Sequence, residues 1–412
     1  MEKLTAFVSQ HMSDDTARLI LSRDKWPGID MDLAVNCIES RRKLKGKVQE
    51  WYEDDRLVFP ARLSAEQCSS TQTAEYKASF AAGIGKRIAD LTGGLGVDSW
   101  FFSKKMEEVL YNEMQECLYE AAAHNFRTLD LGNIRISCRT AQSGGIAEIL
   151  NGFRPDIIYM DPARRGEGGK KVFLIEECTP DVLTLRDELF GHAAHILIKL
   201  SPMADITMVC ERLGSTCREV HVVASGGECK ELLIWMDRDW NDEYTVTAVE
   251  LPPSYPATPA RTFSFKPSEE KECIYTPADI SRHIGNHSEG LYIFEPGKAM
   301  MKAGAFNLMS TRLNAGKLGH STHYYITDVA GEELIHSGKV FRVIRIDKLD
   351  KRSVKAVGKE FPKADVTARN IPMTSEELCR KLGCASGNGI HIFGLKSDKE
   401  GALLITAERI AN

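Results

Sequence analysis

No apolar run in this 412-residue chain approaches the about 18 residues that would signal a membrane-spanning helix. The opening residues, MEKLTAFVSQHMSDD, lack the apolar centre of a secretion signal. Together these absences predict a cytoplasmic protein with no membrane partner. The eleven cysteines include no C-x-x-C, and the nearest pairs are Cys210/Cys217 and Cys379/Cys384. Such spacing predicts reduced, mostly buried thiols and argues against zinc, so no metal is expected. No G-K-[ST] follows the glycine turn described below, which excludes a Walker-type phosphate loop, and that turn does not meet the G-x-G-x-x-G dinucleotide fingerprint. No internal repeat is present.

What is present is ordinary for a globular protein: 43% hydrophobic and 27% charged residues. The length predicts two or three domains. The net charge of −5 is unevenly spread. Residues 281–412 hold twenty Lys and Arg against fourteen Asp and Glu, a net of +6, which leaves −11 for the rest. A basic end on an acidic body points weakly toward nucleic acid.

The stretch Ile88–Asp98, IADLTGGLGVD, organises the chain. A short apolar run ends in Asp90. A glycine-dense turn follows (Thr92, Gly93, Gly94, Leu95, Gly96), and then a segment that can wind into a helix. Strand, glycine turn and helix let a ligand approach backbone closely at the carboxyl end of a parallel strand.

Around this stretch the elements read in order. Residues 1–80 read as helical, including one capped by Ser13-Asp14-Asp15, a second over about 31–52 and a third after the capping cluster Ser69–Thr73. The run Arg41, Arg42, Lys43, Lys45 and Lys47 reads as a solvated face. Residues 81–250 alternate strand and helix, with strands at 87–91, 108–112, 134–138, 157–160, 196–200, 220–224 and 232–236. The last two are too close for a crossover helix, so the seventh strand runs antiparallel. The Pro-, Ser- and Thr-rich stretch 251–275 reads as a linker or extended arm. A mixed piece, 276–322, and a smaller α+β region, 323–412, complete the chain.

Three acidic residues stand at strand ends, where an open α/β sheet places ligands. Asp90 closes the first strand. Glu113 closes the second, at the spacing from the glycine turn that suits a ribose diol. Asp161 closes the fourth, in Asp161-Pro162-Ala163-Arg164-Arg165, whose proline forces an extended exit. The two arginines lie within reach of an anionic substrate. Lys199 directly precedes the exit of the fifth strand and reads as a substrate contact.

Residues 69–236 resemble a class I S-adenosylmethionine-dependent methyltransferase, whose fold is a Rossmann-like seven-stranded α/β sheet. The resemblance implies S-adenosyl-L-methionine as cofactor, held by Asp90, Thr92, Gly93, Gly94, Gly96 and Asp98, with Glu113 on the ribose hydroxyls and Gln142 near the adenine. It places catalysis at Asp161, Pro162 and Arg164, where nucleic-acid amino-methyltransferases carry [D/N]-P-P-[Y/F/W], and substrate binding at Arg164, Arg165 and Lys199. Here Ala163 and Arg164 replace the second proline and the aromatic; a guanidinium can still stack on a base. Carbon methylation at pyrimidine C5 needs a nucleophilic cysteine. None stands beside Asp161-Pro162 or in Lys199-Leu200-Ser201-Pro202, and Cys178 is distant in sequence, so N-methylation is favoured. Residues 341–410, with Thr367–Leu378, look like the THUMP-like domain of a bacterial D-P-A-R-R group that also carries a small ferredoxin-like piece, placed here at 276–322. THUMP domains bind structured RNA, so an RNA partner such as rRNA or tRNA is implied. A small-molecule methyltransferase and a non-catalytic RNA-binding protein are the rival readings.

Overall fold

The computed structural model describes residues 2–164, 175–285 and 290–410. The chain forms two compact units: Met1–Gly226 with Lys230–Tyr244 and Leu251–Ala260, and Gly227–Cys229 with Thr245–Glu250 and Arg261–Asn412.

The first unit opens with helices α1 (Glu2–Gln10), α2 (Thr16–Leu21), α3 (Met31–Leu44), α4 (Gln49–Glu53), α5 (Arg62–Gln67) and α6 (Thr71–Ala82). Phe7, Val8, Leu19, Ala34 and Ile38 pack into one apolar cluster. The helix expected over 31–52 breaks into α3 and α4, because Gly46 between them takes φ +71°. The basic run is not all solvated. Arg41 is buried and donates to the carbonyls of Tyr52, Asp54 and Leu57 and to Asp55, so it pins the chain that follows α4. Lys47 donates to the carbonyls of Ala65 and Glu66.

The sheet strands are β1 (Arg87–Asp90), β2 (Glu108–Asn112), β3 (Ile134–Ser137), β4 (Ile157–Met160), β5 (His195–Leu200), β6 (Cys217–Ser225) and β7 (Glu228–Asp237). They stand in the order β6-β7-β5-β4-β1-β2-β3. β3, β2, β1, β4 and β5 run parallel. β7 runs antiparallel to β5, with Leu200 opposite Leu232. Helices α7 (Val97–Ser103), α8 (Glu116–Thr128), α9 (Ile146–Leu150), α10 (Val182–His192) and α11 (Ile206–Leu213) connect the strands. β1 and β4 sit centrally and are almost wholly buried, as parallel strands covered on both faces must be. This is the Rossmann-like seven-stranded methyltransferase sheet.

In the second unit, β8 (Thr245–Leu251) and β9 (Arg261–Phe265) form an antiparallel pair with Val246 opposite Phe265. The stretch read as a linker therefore contains a strand. Its alternation is present in Arg-Thr-Phe-Ser-Phe, whose two phenylalanines are buried, but flanking prolines obscured it. Pro267 then opens α12 (Pro267–Glu272) at a position where its missing N–H costs nothing.

β10 (Tyr292–Pro296), α13 (Lys298–Ala303), α14 (Phe306–Arg312), β11 (Gly316–Gly319), β12 (Thr322–Thr327), α15 (Glu332–Ser337), β13 (Gly338–Lys348), α16 (Lys351–Glu360), β14 (Asp365–Arg369), α17 (Ser375–Leu382), β15 (Ile390–Ser397) and β16 (Gly401–Arg409) follow. The seven strands form one sheet, β11-β12-β10-β13-β16-β15-β14. The piece expected at 276–322 and the region expected at 323–412 are thus joined through β10 and β13. Alternation divides the sheet between two cores. Phe393, Leu403 and Ile405 face one cluster, whereas Ile392 and Leu404 face the other with Val354, Val357, Leu378 and Leu382 of α16 and α17.

Candidate active site

The glycine turn after β1 is fixed from below. Asp90 is buried; its Oδ1 accepts from the Thr92 amide at 3.0 Å and its Oδ2 from Ser99 Oγ at 2.7 Å. Burial pushes its carboxyl up to about 7, against the pull of both hydrogen bonds. Glycine is required at two positions for packing. A Cβ on Gly93 would lie 2.1 Å from the Tyr111 ring, and one on Gly96 would lie 2.7 Å from Phe126, with φ already +89°. Tyr111 donates its hydroxyl to the Gly94 carbonyl at 2.6 Å, so one ring shapes the turn from two sides.

Glu113, just beyond β2, meets that turn. Its Oε2 accepts from the Gly94 amide at 2.9 Å and its Oε1 from the Gln115 amide at 2.8 Å. The acid and the glycines that sequence spacing paired are therefore in direct contact.

Asp161 stands at the exit of β4. Its amide donates to Thr92 Oγ1 at 2.6 Å, tying the second loop to the first. Its Oδ2 accepts from Lys199 Nζ at 2.5 Å. Lys199 keeps only 13% of its side chain exposed. Burial alone would depress its ammonium, but Asp161, Asp98 and Glu231 outweigh that and raise it above the ordinary lysine value. Pro162 is buried. Ala163 and Arg164 pair through their backbone with Thr179 and Cys178. The Arg164 side chain and all of Arg165 lie outside the described residues.

A buried charge cluster lies behind this pair, and sequence reading missed most of it. Lys77 of α6 donates to both carboxylate oxygens of Glu231 on β7, at 2.8 and 2.9 Å, and to Ser69 Oγ at 2.8 Å. Its Nζ also lies 3.3 Å from Asp98 Oδ1. Asp98 Oδ2 accepts from Ser69 Oγ at 3.0 Å and from the Tyr159 hydroxyl at 2.9 Å. Burial would raise the Asp98 carboxyl; Lys77 and Lys199 hold it below its usual range instead. Asp98, expected on the cofactor, is thus committed to this cluster as well as lining the cleft above it. The available signal was faint: a lysine among the buried alanines of α6 and a glutamate opening the apolar run Glu231–Met236.

The glycine turn, Glu113, Asp98, Asp161 and Lys199 border one cleft of about 1170 Å³. Gly93, Gly94, Glu113 and Met114 line one part; Asp161, Pro162, Lys199 and Ser201 line another; Leu63, Gln67 and Cys68 add a wall from the helical region. Leu63, Met114 and Met203 stay largely exposed at its edge, an apolar border suited to flat rings. Gln142 is not part of the lining. It is exposed, and its carbonyl accepts from the Gly145 amide; Thr140 and Ala141 line the cleft in its place. Cys178 is fully buried beside Arg164. The Cys68 thiol is pushed up by burial and donates to the Ala65 carbonyl, the opposite of an activated nucleophile. Among the described residues no group of three or more His, Cys, Asp or Glu could hold a metal ion, and no helix is long and apolar enough to cross a membrane.

The donor set fits S-adenosylmethionine. A close-approach turn lies beside a buried carboxylate suited to a diol, and the space exceeds that of common small-ligand pockets, about 300–1,000 Å³. Comparisons agree with that fold. Residues 338–409 match the THUMP domain-like family and residues 292–333 a ferredoxin-like domain family. The crystal structure of a "putative methyltransferase" from Porphyromonas gingivalis W83 is 28% identical, with a TM-score of 0.86 over 99% of this chain and 98% of that one. Two looser likenesses, too distant to carry an argument, are an rRNA methylase from Streptococcus thermophilus (12% identity, TM-score 0.30, 39% of this chain and 93% of that one) and a SAM-dependent methyltransferase from Agrobacterium tumefaciens (19%, 0.31, 40% and 61%). No curated protein matches the sequence. The chain has a class I methyltransferase fold with a THUMP-like C-terminal part.

Proposed function

We propose that this protein transfers a methyl group from S-adenosylmethionine to structured RNA. The observation that carries the reading is that two half-sites share one cleft: the Gly94–Glu113 contact on one side and the Asp161–Lys199 pair on the other, joined by the Thr92–Asp161 hydrogen bond.

The bound cofactor supplies an electrophilic methyl on a sulfonium. The protein's part is alignment, which accounts for much of the acceleration in a displacement of this kind. Glu113 and the turn Thr92–Gly96 hold the ribose and methionine ends. Thr92 fixes how far Asp161 stands from that turn. Asp161 orients the acceptor, and Arg164 and Arg165 meet the nucleic-acid backbone or stack on a base. The net positive charge of residues 281–412 and their THUMP-like part support RNA as the acceptor.

Calorimetric titration with S-adenosylmethionine and S-adenosylhomocysteine tests this reading. The expected result is micromolar binding by the wild type. Gly94→Asp sets a second carboxylate against Glu113, Glu113→Ala removes the diol acceptor, and both weaken binding. No binding to folded wild type overturns the reading.

A further inference from the structure

The acceptor atom can be argued from the charges around Asp161. Sequence motifs alone favoured a base nitrogen. The structure adds a lysine at 2.5 Å from the same carboxylate, in the same cleft. Burial opposes the charge of that lysine, but Asp161, Asp98 and Glu231 outweigh it and favour the ammonium form. An atom placed to donate a hydrogen to Asp161 is therefore also within reach of an N–H donor from Lys199.

Nitrogen and oxygen nucleophiles respond to that donor in opposite ways. An exocyclic amine or ring nitrogen attacks through its single lone pair. An ammonium donor at hydrogen-bond distance engages that lone pair and opposes attack. A hydroxyl oxygen has two. One can accept from Lys199 while the other attacks, and the O–H can donate to Asp161. A hydroxyl also needs the help, because it is a poor nucleophile until its proton begins to leave. A fixed positive charge beside it stabilises the developing alkoxide.

We propose that the acceptor is a hydroxyl oxygen, the ribose 2′-hydroxyl of an RNA nucleotide, held between Asp161 and Lys199; this rests on the reading of the chain as an RNA methyltransferase. The 2′-hydroxyl is the group that RNA offers and DNA lacks. In the transfer an O–C bond forms as the S–C bond breaks. The S–C electron pair goes to sulfur, which becomes a neutral thioether. The hydroxyl proton passes to the Asp161 carboxylate and then to solvent. Lys199 stays protonated throughout. Lys77, Asp98 and Glu231 act as positioning residues: they hold the charge balance that keeps Lys199 at the acceptor. α6, α7 and β7 supply the Lys77–Asp98–Glu231 cluster, and the β4 exit and β5 supply the Asp161–Lys199 pair.

The test uses the full-length protein, methyl-labelled S-adenosylmethionine and unmodified transcripts of ribosomal and transfer RNA. The product RNA is digested to nucleosides and resolved by mass spectrometry. The expected label is on the sugar, as a 2′-O-methylnucleoside. Label on a base overturns the hydroxyl assignment and leaves RNA methylation standing. No label on any RNA, from protein that binds the cofactor, overturns both. As a second measurement, Lys199→Met should lower kcat by about 100-fold with cofactor affinity unchanged, and Lys199→Arg should restore part of it. Full turnover in Lys199→Met would overturn the role of Lys199.

Discussion

The hydroxyl of Thr92 accepts the amide hydrogen of Asp161 at 2.6 Å, so a side chain in the glycine turn sets the position of the residue proposed to orient the acceptor. Methyl transfer needs donor and acceptor in line within a fraction of an ångström. A single threonine is the gauge between the two loops.

Thr92→Val removes that acceptor at nearly constant volume and leaves the Asp161 amide unsatisfied, at a cost of about 1–3 kcal/mol. The expected result is a fall in kcat of about tenfold or more with little change in cofactor Kd, read from single-turnover kinetics beside calorimetry. Thr92→Ser should behave as wild type. A loss confined to cofactor affinity would show that the turn, and not Asp161, had moved.

Lys77 is fully buried between Glu231 and Asp98. Lys77→Met strands two carboxylates, and breaking a buried pair from one side costs about 3–5 kcal/mol. Urea denaturation should show that loss. Lys77→Met with Glu231→Gln should recover much of it, because the double change leaves fewer unpaired charges.

Gly93→Ala drives a methyl into the Tyr111 ring. Overpacking of this kind costs about 1–3 kcal/mol, and here it also distorts the turn. Stability and cofactor affinity should fall together. Adding Tyr111→Leu should relieve the clash and restore stability, but not the Tyr111–Gly94 hydrogen bond.

Asp90 gives a pH signature. Its carboxyl is raised from 3.8 to about 7 by burial. Across that interval the folded chain holds a proton that the unfolded chain has released, so stability falls as pH rises from about 4 to about 7 and is level above. The full effect is on the order of 4 kcal/mol. Asp90→Asn should remove this slope. The comparison is the unfolding free energy of both proteins at the two ends of the window; parallel curves would refute the assignment.

The sheet was legible because its strands are buried on both faces and read as continuous apolar runs. Ile157–Met160 and Glu108–Asn112 fall where the sequence placed them. That Glu113 and Asp161 stand near the glycine turn was legible for the same reason, since strand ends in a parallel sheet share one edge, but their hydrogen bonds to Gly94 and Thr92 were not. What stayed hidden depends on distance along the chain or on context. Lys77 and Glu231 are 154 residues apart, and neither type at either position signals a buried pair. Arg41 resembled its solvated neighbours, since nothing local reveals the three carbonyls it caps. Gln142 lay one residue beyond the lining because the chain after β3 turns without a regular period. The strand Arg261–Phe265 was masked by its prolines.

The reach from Lys77 to Glu231 also orders events during synthesis. A growing chain has made the glycine turn and Glu113 long before Glu231 exists. The half of the cleft that would hold the methyl donor is encoded first; the charge balance that would let it act on RNA is completed only by the seventh strand. On the proposed reading, a chain that lacks this strand would hold the donor half of the cleft without the carboxylate that pairs with Lys77.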